Sequence, residues 1–483
     1  MMDSNTSLKK NFILNVLLTL STILFPLITF PYVSRVIGPA GVGKVTFATS
    51  IISYFSMFAQ LGIPTYGIRV CARVRDDKEE LTKTVQELLI INLIMDVISY
   101  TMLLFCLIAV KGLHEYRSII IMMSSTILLT SIGMEWLYRA LEKYNFITVS
   151  SVAFKILAMI LMFLMIHSES DVFAYGVLTV LAASGSFILN FLYARKYVSF
   201  KPVGNYDFSR HFRPVVVFFA MSCATTVYTN LDNVMLVFMT SDEQVGYYNS
   251  AIKIKSALVS VVTSLGTVLL PRISYYISRN KMDEARSIVK KAIQFVFVIS
   301  VPMIVYFFIY ATESIIFLSG PLYTESILAM RIITPTILII GISNVTGIQI
   351  LIPLGKEKYV LYSEVAGAIT DLVLNAVLIP KMGSAGAATG TLIAEIVVLI
   401  VQYYSIRNEF PDIFHYIRSK EIVISCLIAV VVSIGFHFCN WPHLLVLCCS
   451  AALFFTSYFG IMVFYYKNPL LIQYIPFIQQ EKK

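Results

Sequence analysis

"FPYVSRVIGPAGVGKVTFATSIISYFSMFAQLGIPTYGIR", residues 30–69, places a tight break between two apolar runs. The first run ends at Gly38-Pro39, and the second extends from Val42 to about Pro64. Gly and Pro together are typical of a turn, and about 20 apolar residues are enough to cross a bilayer as a helix. The stretch therefore predicts two membrane-spanning helices joined by a short turn.

The same stretch nearly matches a nucleotide-binding loop. Residues Gly38 to Lys44 satisfy the pattern G-x-x-x-x-G-K, but Val45 stands where a magnesium-binding hydroxyl is required. That loop also needs a preceding β-strand in a βαβ unit, whereas an apolar helix is predicted before Gly38. We therefore interpret the glycines as a turn and expect no ATP site.

The composition extends the membrane prediction to the whole chain of 483 residues. Hydrophobic residues make up 58% and charged residues 13%, with a mean hydropathy of +0.79, whereas soluble domains contain about 25% charged residues. The net charge of +9 is attributed to cytoplasmic loops rather than to a nucleic-acid partner. The run after Lys9 and Lys10 lacks a small-residue cleavage site, so it predicts a retained helix rather than a signal peptide.

Fourteen apolar stretches predict an all-α polytopic membrane protein with about fourteen spans. The predicted spans are 11–31, 42–64, 86–110, 117–138, 146–166, 172–194, 214–239, 246–270, 291–311, 327–352, 359–379, 385–405, 421–439 and 443–465.

The distribution of basic residues predicts the orientation. If the N-terminus is cytoplasmic, the termini and the cytoplasmic connections contain 28 of the 37 Lys and Arg residues, and the outer connections contain five. Cytoplasmic loops of membrane proteins carry the excess of Lys and Arg. The chain is therefore predicted to have both termini in the cytoplasm.

An internal repeat relates the second and eighth spans. Gly43 and Gly246 open these spans 203 residues apart, and each is followed by polar residues at steps of four, three and seven. These residues are Thr46, Ser50, Ser53 and Gln60 in one half, and Asn249, Lys253, Ser256 and Thr263 in the other. Such steps keep side chains on one helical face.

The repeat predicts two six-helix bundles in parallel orientation, residues 1–200 and 201–410, followed by two additional helices and a tail, residues 411–483. Parallel repeats are a transporter architecture in which substrate moves between the halves. The polar stripe is expected to line a cavity, although small polar residues also mediate close helix packing.

Charged residues inside spans are candidate functional residues because they are costly in lipid. Lys253 lies in the polar stripe, whereas Lys255 points to another face and is expected to snorkel. Asp232 is an ion-coupling carboxylate, a partner of Lys253 or a helix-end acid. The other candidates are Asp96 and Glu395, deep in spans, and Arg331 and Arg35 at span ends. The remaining acids in or near spans are Glu87, Glu135, Glu364 and Asp371, and those close to span ends are expected to be interfacial.

Neither a catalytic nor a metal site is predicted. The six histidines are scattered, no Ser/His/Asp grouping is readable, and no connection is long enough for a catalytic domain. His437, Cys439, His443 and Cys448 cluster in sequence, but they straddle two apolar helices, where Cys behaves as a small hydrophobe.

Five stretches resemble the polysaccharide transporters that flip O-antigen or capsule repeat units, within the multidrug/oligosaccharidyl-lipid exporter superfamily. They are residues 30–69, "LDNVMLV" (231–237), "VGYYNSAIKI" (245–254), "LIPLGKEKYVLYS" (351–363) and "NAVLIPKMGSAGAATGTLIAEIV" (375–397). Asp232 falls in the second stretch, Lys253 in the third, and Arg35 and Arg69 in the first.

The resemblance implies a V-shaped pair of bundles like that of multidrug exporters of the MATE type, working by alternating access. It implies an undecaprenyl-pyrophosphate-linked oligosaccharide as substrate, with cationic cavity residues paired to the pyrophosphate. It also implies drive by a proton or sodium gradient without cofactor or ATP hydrolysis. The expected surroundings are membrane lipids and a downstream polysaccharide polymerase.

Three alternatives remain open from the sequence. A drug or metabolite antiporter of the same fold is expected to have an acidic cavity, which the Lys in the stripe argues against. A flippase for the peptidoglycan lipid precursor would be essential for growth. A membrane polymerase or ligase would be expected to show a catalytic loop.

Overall fold

The computed structural model describes residues 4–411, 413–414, 417–439 and 441–472, and every regular element in these ranges is helical. The chain divides into two compact units, Met1–Gly246 and Tyr247–Lys483. The helices of the first unit are α1 (Ser4–Gln60), α2 (Ile63–Arg73), α3 (Lys78–Ala109), α4 (Arg117–Gly133), α5 (Glu135–Ala140), α6 (Tyr144–Met165), α7 (Val172–Ser184), α8 (Ser186–Ala194) and α9 (Ser209–Met239).

Helix α10 (Asp242–Ser278) begins in the first unit and continues into the second. The second unit further contains α11 (Met282–Ile309), α12 (Ala311–Ser319), α13 (Ser326–Ile333), α14 (Thr336–Asn344), α15 (Glu357–Met382), α16 (Ser384–Ile406), α17 (Ser419–Ser433), α18 (His443–Gly460) and α19 (Pro469–Ile472). Short 3-10 or π-helical segments extend several of these helices, including Val345–Leu351 after α14.

The number of spans agrees with the sequence once the first helix is divided. Within the described residues, twelve helices are long and apolar enough to cross a membrane, and the bent α10 makes thirteen if it is taken as one span. The first of them, Leu14–Arg73, has 60 residues, or about 90 Å at 1.5 Å per residue, far more than the roughly 30 Å hydrocarbon core. Gly38, at φ 74° and ψ 176°, interrupts it, and division there gives the fourteen predicted spans of a multi-pass membrane protein.

The predicted alternation of span directions is visible in hydrogen bonds of the first unit. The Thr148 hydroxyl donates to the carbonyl of Leu14 (3.2 Å), and the Tyr32 hydroxyl donates to the carbonyl of Ile166 (2.6 Å). Both residue numbers rise together, so α6 runs parallel to the first half of α1. An even number of crossings therefore separates the start of α1 from the start of α6.

Helix α3 runs antiparallel to the second half of α1. The Asn92 side chain donates to the carbonyl of Ala59 (2.9 Å), and the Ser99 hydroxyl donates to the carbonyl of Phe55 (3.1 Å). Residue numbers rise along α3 as they fall along α1, as expected for consecutive spans. The basic connection before α3 thus lies at the opposite end of these helices from the turn at Gly38, and the connection after α3 lies at the same end as that turn.

Two glycines bring α1 and the first turn of α10 into backbone contact. A Cβ added at Gly43 would lie 1.9 Å from the carbonyl oxygen of Asp242, and one at Gly246 would lie 2.1 Å from that of Pro39. The contact is reciprocal, since Pro39 and Asp242, like Gly43 and Gly246, are 203 residues apart. The repeat found in the sequence is therefore also a repeat of contacts.

A buried carboxylate anchors the start of α9. The Glu87 side chain on α3 is fully buried and accepts hydrogen bonds from Arg210 (2.5 Å), His211 Nε2 (2.8 Å) and the backbone N–H of Asp207 (2.7 Å). The opposite ring nitrogen of His211 pairs with the Tyr66 hydroxyl of α2 at 2.8 Å. Glu87 therefore lies under the beginning of α9 and satisfies donors of that segment there.

The segment before α9 is fixed in a similar way. The Gln86 side chain donates to the carbonyls of Ser199 and Lys201 (2.7 and 2.8 Å) and accepts from the Tyr206 hydroxyl (2.7 Å). The Ser209 hydroxyl holds the pKa of Asp207 below its usual range by donating to that carboxylate. Helix α9 consequently belongs to the first unit, whereas the sequence divided the bundles at residue 200; that division remains a prediction.

The last span, α18, packs against α11 through tyrosines. The Tyr306 hydroxyl of α11 donates to the carbonyl of Leu447 (2.9 Å), and the Tyr458 hydroxyl of α18 donates to that of Val298 (3.0 Å). Both rings are buried. Helices α11 and α18 therefore each donate one tyrosine hydroxyl to a backbone carbonyl of the other.

Replacement of Gly43 by Ala is expected to destabilise the protein by about 1–3 kcal/mol, because its Cβ would overlap a backbone carbonyl that cannot rotate away. Thermal unfolding of the detergent-solubilised protein measures the effect. Gly460→Ala is the matched control, since no atom lies within 4 Å of the added carbon. Equal melting temperatures for both variants would contradict the close contact.

Replacement of Glu87 by Gln is expected to lower the free energy of unfolding by about 2–3 kcal/mol, because it removes the charge that compensates Arg210 below α9. The exposed pair Arg75–Glu142 (2.9 Å) provides the control. Since surface ion pairs contribute about 0–1 kcal/mol, Arg75→Gln is expected to change little. A Glu87→Gln melting curve that coincides with the unmodified protein would show that the anchor carries no stability.

Candidate functional site

A cavity of ≈ 400 Å³ lies within the first unit, between α1, α4, α7 and α9. The polar residues that line it are Thr49, Ser53, Ser56, Gln60, Thr65, Thr126, Thr179, Ser222, Thr226 and Asn230. Within the described part of the chain, no acidic or basic side chain contributes to the lining. The cavity is therefore polar but uncharged, with hydroxyl and amide groups arranged between apolar side chains.

The wall formed by α9 differs from the stripe predicted for the seventh span. Ser222, Thr226 and Asn230 line the cavity at steps of four residues, and the Asn230 amide donates to the carbonyl of Thr226 (3.0 Å). Thr225 and Thr229, which the sequence grouped with Ser222, are exposed on another side of the helix. Steps of four from Ser222 would have identified Thr226 and Asn230. The face with Thr225 and Thr229 is equally polar in the sequence, so the sequence alone does not show which face lines the cavity.

The wall formed by α1 contains much of the predicted stripe. Ser53 and Gln60 line the cavity. Ser50 is buried and accepts a hydrogen bond from the Asn233 amide of α9 at 3.0 Å. Ser50 thus joins the two walls, one turn from Ser53.

A buried hydrogen-bond chain leads from the cavity into the helix bundle. The Gln60 amide donates to the Ser131 hydroxyl of α4 (2.8 Å), which donates to Asp96 Oδ1 on α3 (2.8 Å). Asp96 is buried, and its Oδ2 has no donor among the described residues. Among the predicted ion-coupling candidates, Asp96 is the residue that these hydrogen bonds connect to the cavity lining.

The predicted stripe of the eighth span lies in the second unit. Lys253 is half-buried on α10, and Asn249 stands one turn before it, with a buried Oδ1 that accepts no hydrogen bond from the described residues. Ser256 is exposed. All three lie on one face of α10, as their spacing predicts.

The predicted arginines occupy separate places. Arg35 is exposed before the turn at Gly38, and Arg69 is exposed on α2, at the opposite end of the second half of α1. Arg331 on α13 lies over the ring of Phe308, 5.9 Å from its centre. The structure therefore does not bring Arg35 and Arg69 together, and the roles of all three remain predictions.

Two further acids predicted for ion coupling are buried: Asp232 on α9 and Glu395 on α16. Asp371 on α15 is also buried. Gly390 of α16 packs against it, since an added Cβ would lie 3.0 Å from Asp371 Oδ1 and 2.2 Å from Asn375 Oδ1. Glycine at this position permits the two helices to approach around polar side chains.

Comparison with known proteins identifies relatives along most of the chain. The family described as "Polysaccharide biosynthesis protein" matches residues 8–277, and the MatE family matches residues 218–377. A protein of Escherichia coli (strain K12) named "Putative O-antigen transporter" is 23% identical over 410 residues, covering 84% of this chain and 99% of the relative.

Two solved structures share the fold. One is described as the lipid II flippase MurJ (TM-score 0.65, 16% identity) and covers 93% of this chain and all of the flippase chain. The other is a multidrug resistance transporter of the MATE family (TM-score 0.64, 15% identity), with 81% of this chain and 95% of that chain covered.

These matches confirm the predicted all-helical transporter fold and the predicted resemblance. Relatives that match over nearly their whole length are named for transport, and this chain is a membrane transporter rather than a polymerase or ligase. Because the family match spans more than half of the chain, the protein belongs to the polysaccharide biosynthesis protein family.

Proposed function

We propose that this protein moves an undecaprenyl-pyrophosphate-linked oligosaccharide repeat unit from the inner to the outer leaflet by alternating access. The observation that carries the proposal is the polar, uncharged cavity in a chain of the polysaccharide biosynthesis family. The O-antigen transporter named among the relatives supports the same substrate class. The product would supply a capsule, O-antigen or exopolysaccharide.

The lining chemistry suits a glycan. Sugars present hydroxyl groups that both donate and accept hydrogen bonds, and the Ser, Thr, Asn and Gln side chains of the cavity offer the same two capacities. An uncharged lining binds a neutral sugar without the desolvation cost of buried ions. This composition favours the glycan over a cationic drug, which would require an acidic lining.

The pyrophosphate requires cations, and Lys253 is the best candidate. Its place on the polar face of α10 with Asn249 would let an ammonium group pair with phosphate oxygens. Arg35, Arg69 and Arg331 are further candidates for the path of the charged headgroup.

We infer that the energy source is a proton or sodium gradient, without ATP or another cofactor. The sequence of residues 38–45 supports this, since it lacks the hydroxyl of a phosphate-binding loop. The expected location is the bacterial cytoplasmic membrane with both termini inside. A polymerase that consumes the flipped unit is the expected neighbour.

A peptidoglycan-precursor flippase is the second candidate, because the lipid II flippase shares the fold over 93% of this chain. Deletion of the gene separates the two proposals. Viable cells that lack surface polysaccharide would support the repeat-unit flippase, and loss of viability would support the peptidoglycan precursor.

Lys253→Ala is expected to reduce surface polysaccharide at least tenfold in a deletion strain, because a hydrogen bond to a charged group is worth about 1.5–3 kcal/mol. Polysaccharide is quantified at matched membrane levels of protein. Lys255→Ala, on the same helix but a different face, is expected to remain near the unmodified level. Full activity of Lys253→Ala would remove this lysine from the pyrophosphate path.

Thr226→Leu is expected to reduce transport several-fold, because it replaces a cavity hydroxyl by a larger apolar group. Thr225→Leu is the neighbouring control on the exposed face. The two variants are compared by surface polysaccharide in the same strain. A defect in Thr225→Leu alone would place the substrate on the stripe predicted from sequence and not in this cavity.

A further inference from the structure

Asp96 is a carboxylate in the middle of a membrane-spanning helix. It lies 18 residues into the 32-residue helix α3, or roughly 27 Å from its start, and only 2% of its surface is exposed. An ionised carboxylate at this depth is costly unless a cation or several donors compensate it.

The compensation around Asp96 is incomplete. Oδ1 accepts one hydrogen bond, from the Ser131 hydroxyl at 2.8 Å, and Oδ2 has no donor among the described residues. A single neutral donor does not replace the hydration shell of a full charge.

The charged groups of the neighbouring helices do not supply the balance. Helix α4 presents the Ser131 hydroxyl to the carboxylate, and Gln60 of α1 donates to that hydroxyl. Tyr100, one turn later on α3, donates its hydroxyl to the carbonyl of Ser124 instead. Within the described residues, no Lys, Arg or His forms an ion pair with Asp96.

A second unsatisfied oxygen lies beside it. Asn92 is one helical turn before Asp96, hence on the same face of α3. Its amide donates to the carbonyl of Ala59 (2.9 Å), but its Oδ1 is buried without a donor in the described structure. Asn92 Oδ1 and Asp96 Oδ2 are thus two buried acceptors on one face of α3, each without a donor in the described part of the chain. A proton on Asp96 would turn one of them into a donor for the other.

We propose that Asp96 binds a proton on Oδ2 and that this carboxyl is the proton-coupling group of the transporter. The proposal rests on the proposed function and specifies its coupling ion and residue. A proton joins Oδ2 and the negative charge disappears; no other bond is formed or broken. Asn92 Oδ1, one helical turn away and without a donor among the described residues, is the acceptor that we assign to the resulting O–H group.

Gln60 connects the proton site to the cavity, because it lines the cavity and donates to Ser131, which donates to Asp96. With Oδ1 accepting from Ser131, the hydroxyl of Ser131 accepts from the Gln60 amide nitrogen, so the Gln60 carbonyl oxygen is left for the cavity that Gln60 lines. When the proton is lost, the ionised carboxylate accepts stronger hydrogen bonds from Ser131 and from water. Proton binding and glycan binding are thus linked, and each changes the affinity for the other equally.

Infrared difference spectroscopy of the purified protein tests proton binding directly. A titration is expected to show a carboxylic C=O stretching band that is absent in Asp96→Asn and unchanged in Asp76→Asn, whose parent residue is exposed. A band unchanged by Asp96→Asn would overturn the assignment. Loss of the band on adding sodium chloride, compared with choline chloride at the same pH, would assign the site to sodium and overturn it as well.

Transport measurements separate this proposal from the proposed function. Asp96→Asn is expected to fold with an equal or higher melting temperature, because the buried charge is gone, while surface polysaccharide falls at least tenfold. Full polysaccharide output by Asp96→Asn would reject Asp96 and leave the flippase intact. Failure of the unmodified gene to restore polysaccharide would reject the flippase, whatever the infrared result.

Gln60→Leu tests the link to the cavity. It is expected to keep the carboxylic band, because Ser131 still donates to Asp96, but to lower transport at least tenfold. Normal transport would show that the proton site and the cavity are not connected through Gln60.

Discussion

The hydrocarbon core of a membrane offers no hydrogen-bond partners, and this constraint determines where the chain can place its polar side chains. Polar groups are satisfied at helix contacts or gathered around a cavity. The Tyr306 and Tyr458 hydroxyls each reach a carbonyl on a neighbouring helix. The hydroxyls and amides of the first unit instead surround a cavity of ≈ 400 Å³. We attribute these polar side chains around a cavity to the binding of a polar substrate.

Close backbone approach is the second requirement of the architecture. Gly43 and Gly246 allow two helix starts to touch through reciprocal contacts with Asp242 and Pro39. In lipid, helices associate by packing and small residues rather than by the hydrophobic effect. The glycines that resemble a phosphate loop are therefore packing residues.

The sequence predicted the helical class, the positions of the spans and the repeat, because these follow from apolar run length and charge distribution. It could not predict which face of a helix meets which neighbour. Thr225 and Thr226 are adjacent polar residues in an apolar span, and only tertiary contacts decide that Thr226 lines the cavity. For the same reason the sequence did not show that Glu87 packs under the start of α9 against Arg210 and His211, since the position of a residue in a span does not show what packs over it.

The central claim is translocation of a lipid-linked oligosaccharide, and reconstitution measures it most directly. Purified protein is incorporated into liposomes with repeat-unit lipid extracted from the deletion strain. A membrane-impermeant oxidant of vicinal diols then reports the leaflet of the glycan. The account predicts that protein and an imposed proton gradient together expose the initially protected glycan. Folded protein that leaves the protected fraction unchanged under a proton or a sodium gradient would contradict the account.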